Sequence, residues 1–307
     1  MIGRLPAAKV LVAVAVLLGA AVATQVQRDR RFATDQPSEQ VLYVQSPEVA
    51  RRLALSYDLL AADVYWIRAL QHFGKARKTT PQERDYALLY PLLDMATGLD
   101  PHFNIAYRFG AIFLSEPKPA GPGRPDLAVK LLVKGLAAQP AKWQYMQDIG
   151  FVHFWAMQDF KGAAEWFERG SRIPGAPWFL KPLAATTLAQ GGERSASRTI
   201  FRVLAESGEN DWIRKDAARR LRQLDTMDTI DELRQILQVY RARGGATPVT
   251  WERLVHARYL RAIPTDRDGF VFELGPWSGD VSLAEGSTLA PLPKERSPRV
   301  QPPAAGS

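Results

Sequence analysis

The chain has 307 residues, with 40 Lys and Arg against 32 Asp and Glu, a formal net charge of +8, and no cysteine. Without cysteine there are no disulfides and no thiolate metal ligands, and His72, His102, His153 and His256 are scattered without metal-ligand spacing. The positive balance suits nucleic acid or anionic lipid, but the arginines between 194 and 262 alternate with acids, the pattern of a solvated helix face rather than a nucleic-acid surface.

Residues 1–27 read as targeting sequence. Arg4 and Lys9 precede an apolar run from Val10 to Ala23, 14 residues long or 17 with Thr24-Gln25-Val26, and Ala21-Val22-Ala23 fits a small-x-small exit. A spanning helix prefers about 20 apolar residues. Basic residues lie on both sides of the run, so comparing flanking charge sets no direction. Two alternatives stay open. One is a cell-membrane anchor through residues 10–26 with the bulk in the periplasm; the other is a signal cleaved near Ala23, leaving a soluble periplasmic protein.

Over residues 38–205 a spaced set of small residues and prolines recurs. It reads Leu89, Ala96 and Pro101; Ala128, Gly135 and Pro140; Ala163, Gly170 and Pro174; then Ala196 and Val203. The second members, at 96, 135, 170 and 203, are 39, 35 and 33 residues apart. Periods of about 34 residues mark helix pairs that must stack to bury their apolar faces. The first pair is predicted in DVYWIRALQHFG and DYALLYPLLDMATGLDP, joined by polar KARKTTPQER. The second uses Tyr107 and Phe109-Gly110, then LAVKLLVKGLAAQP; the Pro- and Gly-rich insertion at 115–126 explains the 39-residue step. In the third, WQYMQDIGFVHFWAM leads through Gln158-Asp159 to FKGAAEWFERGSRIP, where Phe160, Ala163, Phe167 and Gly170 share a face. The fourth runs from Trp178 through IFRVLAES about Gly191-Gly192. A glycine such as Gly135 inside a helix costs about 1 kcal/mol relative to alanine, so a close helix–helix approach is expected there.

Residues 206–262 read as a helical cap: NDWIRKDAARRLRQL, a second helix TIDELRQILQVYRARGG ended by Gly244-Gly245, and a start signal at Pro248–Glu252. Asp225, Asp228, Asp231 and Glu232 straddle the start of that second helix, where carboxylates favour the macrodipole. Residues 263–285 alternate apolar and polar about Gly-Pro-Trp-Ser-Gly-Asp and predict a short hairpin. Residues 286–307, rich in Pro, Ser and Ala, read as a disordered tail.

With Ile149-Gly150 where the pattern has Leu-Gly, these positions resemble the tetratricopeptide repeat superfamily over about residues 60–205. Leu93 and Leu132 replace the usual aromatic, His153 replaces a tyrosine, and Gly150 to Ala163 is one residue longer than the pattern. The stretch LALSYDLLAADVYWIRALQHFG also resembles the opening of a group of exported, N-terminally anchored bacterial tetratricopeptide proteins of unassigned role. Together with the C-terminal segments, the resemblance implies an all-α, tetratricopeptide-type helical solenoid with a C-terminal helical cap and a short β-hairpin. It implies a groove lined by Asn104, Tyr107, Gln144, Gln147, Phe151, Phe154, Trp155 and Lys181, which would hold a peptide or segment of another protein. That Phe151 and Trp155 are instead core side chains stays open. The expected function is a non-enzymatic, membrane-anchored interaction scaffold outside the cytoplasm, with no cofactor, metal or nucleic acid. The alternatives are a fixed subunit of a larger cell-envelope complex, and an enzyme using the segment around Trp277 and Asp280.

Overall fold

The computed structural model describes residues 7–32, 44, 46–208 and 210–295. The basic start at Arg4, the opening of the expected repeat region at 38–43, and the end of the expected tail at 296–307 lie outside the described residues. The chain divides into two units after Gln45.

In the first unit, α1 (Ala7–Phe32) is a single helix. Among the described residues, however, no helix is long and apolar enough to cross a membrane. This overturns the expected membrane anchor through residues 10–26. The unbroken apolar run, Val10–Ala23, is 14 residues and rises about 21 Å at 1.5 Å each, against a hydrocarbon core of about 30 Å.

The described part of the second unit is mostly helical. It begins with α2 (Pro47–Leu53), α3 (Asp58–Lys78), α4 (Leu89–Leu99), α5 (Asn104–Ser115), α6 (Pro125–Ala138) and α7 (Trp143–Phe151). A π-helical turn (Val152–Met157) extends α7, and α8 (Phe160–Ser171), α9 (Leu180–Gln190) and α10 (Arg194–Ser207) follow. Each of these helices from α3 onward packs chiefly on its neighbours in sequence. The reasons are local. In α8, Phe160, Ala163, Ala164 and Phe167 fall at i, i+3, i+4 and i+7 and are all buried. Asp159 caps that helix, its Oδ1 accepting from the Gly162 N–H at 2.9 Å. Pro125 opens α6, with Asp126 in the first turn.

The small residues do sit at close approaches. A Cβ at Gly135 would stand 2.8 Å from Tyr145 Cε2 and 3.0 Å from Tyr107 Cδ1, and one at Gly150 would run into the Phe167 ring. Gly170 is different: its nearest neighbour, Met146 Cβ, is 3.3 Å away.

The helix break expected near Asp225 is absent. Helix α11 (Asp211–Ala242) runs unbroken for 32 residues, because no Gly or Pro lies between its ends. Asp225, Asp228, Asp231 and Glu232 therefore lie inside a helix and not at its start. The three aspartates meet arginines of α10. Arg194 pairs with Asp228 and Asp231, each at 2.7 Å, and Arg198 pairs with Asp225 and Asp228.

Beyond α12 (Trp251–His256), β1 (Glu273–Leu274) and β2 (Val281–Ser282) pair antiparallel, with Glu273 opposite Ser282 and Leu274 opposite Val281. They close over Leu233, Leu237, Tyr240 and Leu254, and Trp251 Nε1 donates to the Phe272 carbonyl at 2.7 Å. Disorder from residue 286 is also overturned for the described part of the tail. Ser287 and Leu289 are buried, and Glu295 pairs with Arg194 at 2.5 Å.

Candidate binding cleft

Helix α5 places Arg108, Ala111, Ile112 and Ser115 on one face at i, i+3, i+4 and i+7. Helix α7 and its π-helical extension place Asp148, Phe151, Val152 and Trp155 opposite them. Between the two lies a cleft of about 930 Å³, walled by Glu116, Pro117, Lys118 and Gly123 from the α5–α6 loop and by Pro125 at the start of α6.

That loop is the insertion seen in the sequence, and it is fastened down. The N–H of Gly123 donates to the Glu116 carbonyl at 2.8 Å and the N–H of Arg124 to the Leu114 carbonyl at 2.8 Å. Arg84 and Tyr86 donate to the carbonyls of Pro119 and Ala120, each at 2.6 Å. Gly123 has φ 61°, a conformation that side chains resist and glycine accepts freely.

The opposite wall owes its shape to the π-helical turn, a feature that often re-aims side chains at functional sites. Gln158 leaves the turn in the left-handed region, at φ 58°. His153 Nδ1 lies 2.9 Å from Asp159 Oδ2, which ties the end of the turn to the cap of α8. Trp155 is left 63% exposed beside the cleft. Phe154 is half-buried and meets Phe160 edge-on, with centroids 5.3 Å apart.

One ion pair crosses the cleft. Arg108 grips Asp148 with two bonds, Nε to Oδ2 at 2.5 Å and Nη2 to Oδ1 at 3.0 Å. Burial pushes the Asp148 carboxyl above its ordinary range, and the hydrogen bonds and charge of Arg108 pull the other way. Ala111, Ile112, Val152, Ala156 and Met157 supply apolar surface, while Ser115, Lys118 and Gln158 supply polar groups. An apolar cleft with a few fixed polar groups suits the side chains of a bound segment. Among the described residues no three His, Asp or Glu side chains converge as a metal site would.

Of the residues expected to form the groove, Phe151 and Trp155 line the cleft and Phe154 packs behind them. Tyr107 does not belong to it. It is fully buried, with its ring 5.3 Å from Tyr145 and its hydroxyl donating to the Thr97 carbonyl at 3.3 Å. The face of α5 that carries Tyr107 is the face pressed against Gly135. Asn104 is likewise engaged internally, accepting from the Tyr145 hydroxyl at 2.7 Å and from Gln139 at 3.2 Å. Gln144, Gln147 and Lys181 are partly buried and lie outside the cleft lining.

Sequence reasoning missed Arg108, Ile112, Lys118, Asp148 and Gln158. Part of the signal was present in the repeat register: Arg108 precedes Gly110 by two residues and Asp148 precedes Gly150 by two. Equivalent positions of consecutive first helices thus face each other. Compared with known proteins, the chain matches no family model, no curated protein and no solved structure, and its function has to be read from these side chains.

Proposed function

We propose that the chain is a non-enzymatic interaction module of tetratricopeptide type, and that the α5–α7 cleft holds a segment of another protein. Consecutive pairs α3–α4, α5–α6, α7–α8 and α9–α10, with small residues at the contacts of Gly135 and Gly150, support the stacked-repeat reading. The observation that carries the functional reading is Trp155, a large aromatic 63% exposed on the rim of an apolar cleft. Binding energy concentrates in such anchors, and removing one costs about 2 kcal/mol or more, roughly thirtyfold in affinity. The test is Trp155→Ala against Glu165→Ala, an exposed α8 position outside the cleft lining. Partner recovery in a pull-down should fall with Trp155→Ala alone, with the melting midpoint nearly unchanged. Full recovery, or a large loss of stability, contradicts the proposal.

One observation favours a fixed subunit of a larger assembly. Leu53, Leu55, Tyr57, Leu59 and Leu60 of the α2–α3 region are all exposed, Leu55 at 78%. A permanent partner would cover such a run. In that case the native complex should persist on dilution, whereas a transient scaffold releases its partner.

A further inference from the structure

We propose that the groove along α10 and α11 is a docking site for a proline-rich segment of another protein, and that residues 287–295 of this chain are its built-in occupant, which such a segment displaces. Two side chains of α11 read four consecutive carbonyls of the occupant. Arg219 donates to Thr288 at 3.2 Å and to Ala290 at 2.9 Å; Gln223 donates to Leu289 at 2.7 Å and to Pro291 at 3.0 Å. Gln223 is 0% exposed, so its amide is committed to this task. The helix side of these contacts supplies donors only. Proline loses its N–H but keeps its carbonyl, so donor-only recognition matches a proline-rich chain and needs nothing from its missing N–H groups. The N–H groups of Leu289 and Ala290 are answered within the segment, by Ser287 Oγ at 3.3 Å and the Ser287 carbonyl at 3.2 Å.

Side chains add order to the backbone contacts. Leu289 is fully buried, Leu292 packs on the apolar clusters of α11, and Glu295 meets Arg194. The segment Ser-Thr-Leu-Ala-Pro-Leu-Pro-Lys-Glu therefore presents a buried leucine, a second leucine between prolines, and a terminal acid. A cavity of about 580 Å³ remains between it and Ile230, Asp231, Arg234 and Leu283, so the occupant does not fill its groove. Being tethered, it acts at an effective concentration on the order of millimolar and masks the groove against weaker competitors.

The test uses the full chain and a fluorescent peptide of sequence STLAPLPKE, with binding read by anisotropy. Leu289→Ser weakens the tethered occupant, and that variant should bind the peptide about tenfold or more tighter than the unaltered chain does. Adding Gln223→Leu should abolish the gain. Equal binding by the unaltered chain and a folded Leu289→Ser variant overturns the proposal. Hydrogen exchange in the unaltered chain is a second readout that does not depend on the variant folding. The amides of Leu289 and Ala290, both hydrogen-bonded to Ser287, should exchange about tenfold or more faster than those of 224–237 in α11, because the occupant leaves without global unfolding. Exchange of both at one slow rate would make the segment an inseparable part of the core and would also overturn the proposal.

Discussion

Asp148 and Asp266 show how differently two shielded carboxylates are held. Asp148 depends on one partner, the Arg108 guanidinium. Deleting that carboxylate should cost about 1–3 kcal/mol, between the value of an exposed pair and that of a fully buried one. Urea unfolding of Asp148→Ala measures this, and no change in midpoint would mean the pair contributes nothing. Asp266 is buried and is held by several neutral donors. Its carboxylate accepts from Ser287 Oγ at 2.5 Å and from the N–H groups of Asp268 and Phe270, both at 2.9 Å. Burial alone would raise its pKa, but these hydrogen bonds outweigh burial and hold it below the ordinary carboxylate range. The folded value is thus lower than the unfolded value of about 3.9. Its contribution to stability is complete above that unfolded value and is lost as pH falls through the folded one. Stability should therefore decline below about pH 4, and Asp266→Asn should flatten part of that decline while costing about 1–3 kcal/mol at neutral pH. An identical acid limb in the variant would show that Asp266 plays no part in it.

Among the elements, the helices most legible in sequence are those whose contacts repeat. Gly135 recurs at a fixed place in the small-residue register, and two tyrosine rings occupy the space its Cβ would need. Gly135→Leu should lower the melting midpoint by the equivalent of about 1–3 kcal/mol. Gly170→Ala should be close to neutral, since a helix-propensity gain of up to about 1 kcal/mol offsets a contact at 3.3 Å. Equal effects at the two positions would contradict the packing described. Helix α11 was harder to read. Its aspartates look like caps when only neighbours in sequence are considered, and their partners Arg194 and Arg198 are about 30 residues away on another helix. The π-helical turn left no recognised signal, because Phe151, Phe154 and Trp155 fit an ordinary helix equally well.

On the scale of the whole second unit, the helical order was legible because a period in small residues and prolines is a local property. The cleft was only partly legible because it joins side chains 40 residues apart with a loop that the repeat pattern treats as an insertion. Tyr107 shows the same limit: which face of α5 meets α6 depends on how the helices pack, and Tyr107 took the inner one. The docked segment 287–295 was missed because its composition resembles a disordered tail, while its order comes from Gln223 and Arg219. The central claim, that the α5–α7 cleft receives a partner, is tested most directly by photo-crosslinking in the cells that make this protein. A photoreactive side chain placed at Ile112 inside the cleft, and separately at Glu165 outside it, should give a discrete crosslinked species at 112 that Trp155→Ala suppresses. A species that forms equally from both positions, or that persists unchanged with Trp155→Ala, would contradict the claim.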